Sequence, residues 1–160
     1  MNVPLSKPYI SQEMKTRVME VIDSGQYILG KNCKEFEKEF SHYIGTKQSI
    51  LTSSGTSALF LCLKALGVGP GDAVLVPSLT AFPTVEPVYH VGATPVFVDI
   101  DDTFTMDPNH VEKIFKASGQ GSKGKIKGII PVHLYGHPAD MDAMLDLVKR
   151  YGVLVLEDCC

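Results

Sequence analysis

Apolar residues near the start of the chain recur at helical spacing, and from Gln48 onward they gather into short continuous runs. The first pattern predicts two helices, Ser11–Ser24 and Cys33–Tyr43, with Phe36, Phe40 and Tyr43 on one face of the second. Gly25 and Gly45 follow them as stop signals, because glycine takes the left-handed conformation that closes a helix. The second pattern predicts strands at Ser49–Thr52, Ala73–Val76, Pro95–Val98, Lys127–Val132 and Val153–Leu156. Between them helices are predicted near Thr56–Leu66, Thr80–Val91, Pro108–Ala117 and Asp140–Tyr151, the third with proline at a tolerated first-turn position. Strands that are continuously apolar suit a parallel sheet buried on both faces, and right-handed crossovers place helices on each side. The expected fold is therefore α/β, a three-layer sandwich around a mainly parallel sheet. Residues 1–47 form an N-terminal helical segment and residues 48–160 the alternating βα units.

Composition narrows the partners. With 44% apolar and 21% charged residues the chain is an ordinary globular sequence. Fifteen Lys and Arg against 18 Asp and Glu give a net charge of −3, with no basic block for a nucleic acid or an anionic membrane. No signal sequence opens the chain and no apolar run approaches membrane-spanning length, so a cytoplasmic protein with a small-molecule partner is expected. Cys33, Cys62, Cys159 and Cys160 show no metal or redox spacing, and the five histidines show none either, so no metal site is expected. Two glycine-rich stretches imitate nucleotide loops. Gly67 to Asp72 follows a helix and reads as a cap running into a Pro-Gly turn, and Gly119 to Lys125 precedes a strand and reads as a solvated loop.

Chemistry gathers at two strand ends, where parallel α/β sheets bind ligands. Ser53 to Ser57 joins an apolar run to a helix. Gly55 lets the backbone approach a ligand closely, and Thr56 and Ser57 offer hydroxyls and free amides at a helix N-terminus, which together make a phosphate cradle. The alternative is a plain helix cap. Asp158 ends the last apolar run, where a carboxylate can keep a pyridine nitrogen protonated; the alternative is an Asp that caps the following loop. A phosphate cradle and an acid on one crevice suit pyridoxal phosphate.

The ordered motifs Ser54-Gly55-Thr56-Ser57-Ala58-Leu59, Gly69-Pro70-Gly71-Asp72, Pro77-Ser78, Gly92-Ala93, Val96-Phe97-Val98-Asp99-Ile100-Asp101, Pro131-Val132-His133-Leu134-Tyr135-Gly136, Pro138-Ala139-Asp140-Met141-Asp142 and Glu157-Asp158 cover nearly the whole chain. In this order they resemble the DegT/DnrJ/EryC1/StrS family of sugar aminotransferases. The resemblance implies the N-terminal part of a type I aminotransferase large domain and a homodimer. It also implies transfer of an amino group from glutamate to a nucleotide-linked keto sugar, in polysaccharide or antibiotic sugar biosynthesis. Gly55, Thr56 and Ser57 would hold the cofactor phosphate and Asp158 the ring nitrogen. Where many members place an aromatic to stack on the ring, this chain has Ala81 followed by Phe82, so Phe82 is the candidate. Tyr27 to Gly30 resembles the family's substrate-side loop, or is simply a turn between helices. No lysine stands where members carry the Schiff-base lysine, which is expected beyond Cys160 together with the small domain. The chain alone is then a fragment with no catalytic residue of its own, and inactive.

Three rival functions remain. A dehydratase of the same family carries histidine in place of the lysine. A non-catalytic domain would bind a nucleotide sugar. A haloacid-dehalogenase-type phosphatase would use the D-x-D-x-T run, with Asp99 as nucleophile and Asp101 as general acid, although that fold normally opens with this strand; otherwise Asp99 to Asp102 is a turn into the next helix.

Overall fold

The computed structural model describes residues 3–4, 6–118 and 125–159, so the glycine-rich stretch at 119–124 and Cys160 lie outside the described residues. The chain divides into two compact units, one up to Leu51 and one from Thr52 on.

The first unit holds α1 (Gln12–Ser24) and α2 (Lys31–Ile44). Ser11 caps α1 by accepting a hydrogen bond from the Met14 amide at 3.1 Å. Gly25 and Gly45 close the two helices with φ of 68° and 80°, a region glycine enters without Cβ strain. The rings of Phe36 and Phe40, one turn apart, stack at 5.6 Å. The strand expected at Ser49–Thr52 is absent. A strand persists only when its backbone groups are paired in a ladder, and here they turn to α2 instead: the Leu51 amide donates to Glu37 Oε1 at 2.8 Å, and Ile50 stays exposed.

The second unit runs α3 (Gly55–Ala65), β1 (Asp72–Pro77), α4 (Phe82–His90), β2 (Thr94–Val98), α5 (Pro108–Ser118), β3 (Lys125–Ile129), a short 3-10 turn at Leu134–Gly136, α6 (Met141–Tyr151) and β4 (Leu154–Val155). All strand pairs are parallel, in the order β2-β1-β3-β4. Along β1 the side chains alternate with the period of two that a pleat imposes. Ala73 and Leu75 pack with Met106, Val111, Phe115 and Met144 on the side of α5 and α6. Val74 and Val76 pack with Leu63, Val85 and Val88 on the side of α3 and α4. The result is the expected three-layer α/β sandwich, with four strands among the described residues rather than five.

Local chemistry explains the boundaries. Gly67 at φ 72° and Gly71 at φ 89° make the region between α3 and β1 a helix stop followed by a turn, as the Pro-Gly sequence suggested. Pro108 opens α5, and Asp140 caps α6 through the Ala143 amide at 3.0 Å. No helix among the described residues is long and apolar enough to cross a membrane.

The connection from β1 goes to β2 on one side, and the chain then returns to β3 on the other side of β1. That reversal opens a crevice at the carboxyl ends of β1 and β3, the position at which doubly wound sheets accept ligands.

Candidate active site

One wall of this crevice is the start of α3. Ser54 takes an extended conformation and its hydroxyl accepts a hydrogen bond from the Ser57 amide at 3.1 Å. Ser57 was expected to present a free amide; the helix cap uses it instead, because the third amide of a helix is the one an N-cap hydroxyl reaches. Its hydroxyl sits 3.0 Å from that of Ser54 and 3.3 Å from that of Ser53. The amides of Gly55 and Thr56, at the first two helical positions, have no acceptor within the helix and lie at its positive end.

The opposite wall is Asp158, fixed by its backbone. Its amide donates to Pro131 O and its carbonyl accepts from the His133 amide, both at 3.0 Å, a parallel bridge that extends the β3–β4 pairing beyond β4. The side chain is buried at 9% exposure. A carboxylate tolerates such burial only with hydrogen-bond partners, and Thr84 Oγ1 donates to its Oδ2 at 2.7 Å. Thr84 is itself 1% exposed, and its hydroxyl lies 2.8 Å from that of Thr80. Sequence reasoning missed Thr84. The available signal was a polar residue on the α4 face otherwise made of Val85, Pro87 and Val88.

Between the two walls lies a cavity of ≈ 300 Å³, lined among others by Gly55, Thr56, Thr80, Ala81, Leu134 and Asp158. The fold therefore brings Gly55, Thr56 and Asp158 together across residues about a hundred positions apart in the chain. Ser57 and Phe82 are not among the lining residues. Phe82 heads α4 at 67% exposure, off the face that α4 buries, while its neighbours Ala81 and Pro83 reach the cavity. The site thus has small side chains where an aromatic was sought.

Other candidates fall outside the cavity. Asp99 lies beside His110, whose Nδ1 accepts from the Asp99 amide at 2.9 Å. Asp101 accepts from the amide and hydroxyl of Thr103, which hold its carboxyl below the usual carboxylate range, and Asp107 returns its amide to Asp99 O. This is a hydrogen-bonded turn into α5. His133 uses Nδ1 to accept from the Ala139 amide at 3.1 Å, so in the neutral ring Nε2 carries the proton and donates to Glu157 Oε2 at 3.0 Å. His133, Glu157 and Cys159 bring their ligand atoms within 4.8 Å of one another, yet an Nε2 that bears the proton offers no lone pair to a metal. Tyr27 to Gly30 forms the connection between α1 and α2 and borders a concavity of ≈ 860 Å³ within the first unit.

Residues 8–160 match the model of the DegT/DnrJ/EryC1/StrS aminotransferase family. The chain is 43% identical over 147 residues to dTDP-3-amino-3,4,6-trideoxy-alpha-D-glucose transaminase of Streptomyces venezuelae, which covers 91% of this chain and 37% of that protein. Among solved structures it superposes on a DegT DnrJ EryC1 StrS aminotransferase from Brucella abortus with a TM-score of 0.86 at 38% identity, covering 89% of this chain and 39% of the other. It also superposes on NtdA of Bacillus subtilis with bound cofactor PMP, with a TM-score of 0.82 at 36% identity, covering 91% and 32%. The chain spans about two fifths of the length of the curated relatives it matches.

Proposed function

The chain belongs to the DegT/DnrJ/EryC1/StrS aminotransferase family, and from that membership we propose that the protein carrying it transfers an amino group to a nucleotide-linked keto sugar. Pyridoxal phosphate is the cofactor in this reading, glutamate the amino donor, and the working form a cytoplasmic homodimer. The named relatives support the substrate class, since one is a transaminase of a dTDP-linked sugar. The PMP-bound neighbour supports the cofactor.

The observation that carries the reading is a single cavity with unpaired helix amides at one end and a buried carboxylate at the other. The donor set fits the group. A phosphate suits the amides of Gly55 and Thr56 and the Thr56 hydroxyl, where the dipole of α3 favours negative charge. Ser57 contributes its hydroxyl proton, since its amide is committed to Ser54. Asp158 receives the N–H of a pyridinium ring, for which a neutral residue would be useless. Bound there, pyridoxal phosphate supplies the electron sink that amino-group transfer requires. Ala81 and Leu134 close the cavity with apolar surface and exclude water from the ring. Phe82 would reach the ring only by turning inward from its exposed position. The Schiff-base lysine belongs to the remainder of the protein.

The test is made on the full-length protein. Thr56→Val with Ser57→Ala should weaken cofactor binding about tenfold or more, the equivalent of one charge-assisted hydrogen bond. Asp158→Asn should still bind cofactor, about tenfold or more weakly, and lose most glutamate-dependent amination of the keto sugar. Wild-type turnover in the Asp158→Asn protein would refute the assignment.

A further inference from the structure

Building on the reading of Asp158 as the acid that meets the cofactor's ring nitrogen, we propose that Thr84 is a positioning residue for that acid, the inner member of a two-hydroxyl chain that aims the carboxylate into the cavity. Three observations carry this. Thr84 Oγ1 is 2.7 Å from Asp158 Oδ2, a contact between residues 74 positions apart, so it is built by the tertiary fold and by no local motif. The hydroxyl occupies a buried position on the apolar face of α4, between that helix and the sheet, where valine would pack with the same shape. And Thr84 stands in the first turn of α4, three residues past the Ala81 cap, where no helical carbonyl four residues earlier is there to take its hydroxyl. Thr84 instead spans to Asp158 and meets the Thr80 side chain at 2.8 Å.

The direction of the chain follows from the inventory of donors. An ionised carboxylate only accepts, so the single hydroxyl proton of Thr84 is committed to Asp158. The Thr84 oxygen then accepts from Thr80, whose residue lines the cavity and ties the chain to its wall. Successive hydroxyls polarise one another, which strengthens the bond to the acid. The backbone bridge to Val132 fixes where Asp158 starts, and Thr84 fixes where its carboxylate plane points.

The experiment uses the full-length protein, stripped and reloaded with pyridoxal phosphate labelled with nitrogen-15 in the ring, and reads the ring-nitrogen resonance beside the cofactor dissociation constant. Thr84→Val should move the resonance toward that of an unprotonated ring and weaken cofactor binding about tenfold, while kcat falls with the sugar KM unchanged. Thr84→Ser, which keeps the hydroxyl, should restore both signals. A wild-type resonance in Thr84→Val overturns the proposal. Thr80→Val leaves the Thr84 hydroxyl in place and covers the case in which Thr84→Val does not fold; a smaller displacement in the same direction supports the chain, and a wild-type resonance overturns it. Asp158→Asn measured alongside separates the two levels. If it leaves the resonance unchanged, the reading of Asp158 is wrong and the role of Thr84 falls with it. If it moves the resonance while Thr84→Val does not, the role of Thr84 alone falls.

Discussion

In α1 and α2 no side chain is buried, whereas α3, α4, α5 and α6 each bury two or more. The first pair carries the sharper local signals: a serine cap, two glycine stops, the Lys31–Glu35 and Arg17–Glu20 pairs and a stacked Phe36–Phe40. The α3–α6 set includes α4, which has no side-chain cap and a proline, Pro87, in its interior. The contrast teaches that capping and ion pairs mark where a helix begins and ends, and burial is what supplies its stability. Helices of 13 and 14 residues are marginal in water without tertiary packing, while even a proline-interrupted one is held when Val85 and Val88 pack against a sheet.

The largest test of that contrast is a pair of methionines. Met144→Ala in α6, at 0% exposure, should cost about 2–5 kcal/mol in denaturant unfolding. Met19→Ala in α1, at 53% exposure, should change stability by about 0.5 kcal/mol or less. Equal costs would break the comparison. Next come two glycines with similar φ. Gly92→Ala would bring a Cβ to 2.9 Å from Pro70 Cγ, whereas Gly25→Ala has nothing within 4 Å. Each loses the glycine's left-handed freedom, about 1–2 kcal/mol; Gly92→Ala adds the clash and should lower the main thermal transition by more than that, while Gly25→Ala should register as lost helical circular dichroism at α1. A cap pair follows. Asp140→Ala should lower the global unfolding free energy by about 1 kcal/mol, and Ser11→Ala should instead reduce helical circular dichroism with little effect on the main transition.

The smallest effect is one of pH. The Thr103 hydrogen bonds depress the Asp101 carboxyl in the folded state, so their stabilisation is present above the ordinary aspartate range and is lost as pH falls through the depressed value. Thr103→Ala should shrink that acid-side loss. A variant with the wild-type pH dependence of unfolding would show that the Thr103 hydroxyl contributes nothing.

What was legible in the sequence divides along the same line. Gly25, Gly45, Pro108 and Asp140 act on backbone within a few residues of themselves, so helix boundaries could be read from them. The burial of β1 on both faces and the meeting of Gly55 and Thr56 with Asp158 on one crevice were legible because strand ends and crossovers obey general rules. Ser49–Thr52 has a strand's composition, but pairing is decided by what lies alongside, which no local pattern reports. Of Ser57 only the free amide was misplaced, for a related reason: a hydroxyl before a helix serves a cap and a ligand equally well on paper, and the fold gives the Ser57 amide to Ser54. Phe82 was chosen for its ring, yet the burial of Thr84 and Val85 turns it outward. Thr84 stayed hidden because its partner is 74 residues away.

That separation also sets an order of events as the chain is made. Thr84 and the start of α3 leave the ribosome long before Asp158, and the Asp158 bridge to Val132 forms only once its own strand has been delivered and has docked beside β3. Until then the cavity has one wall, and the Thr84 hydroxyl has no carboxylate to meet. Completion of the cavity is thereby tied to the arrival of Asp158, and a nascent chain halted ahead of that residue holds a helix start with nothing to close against it.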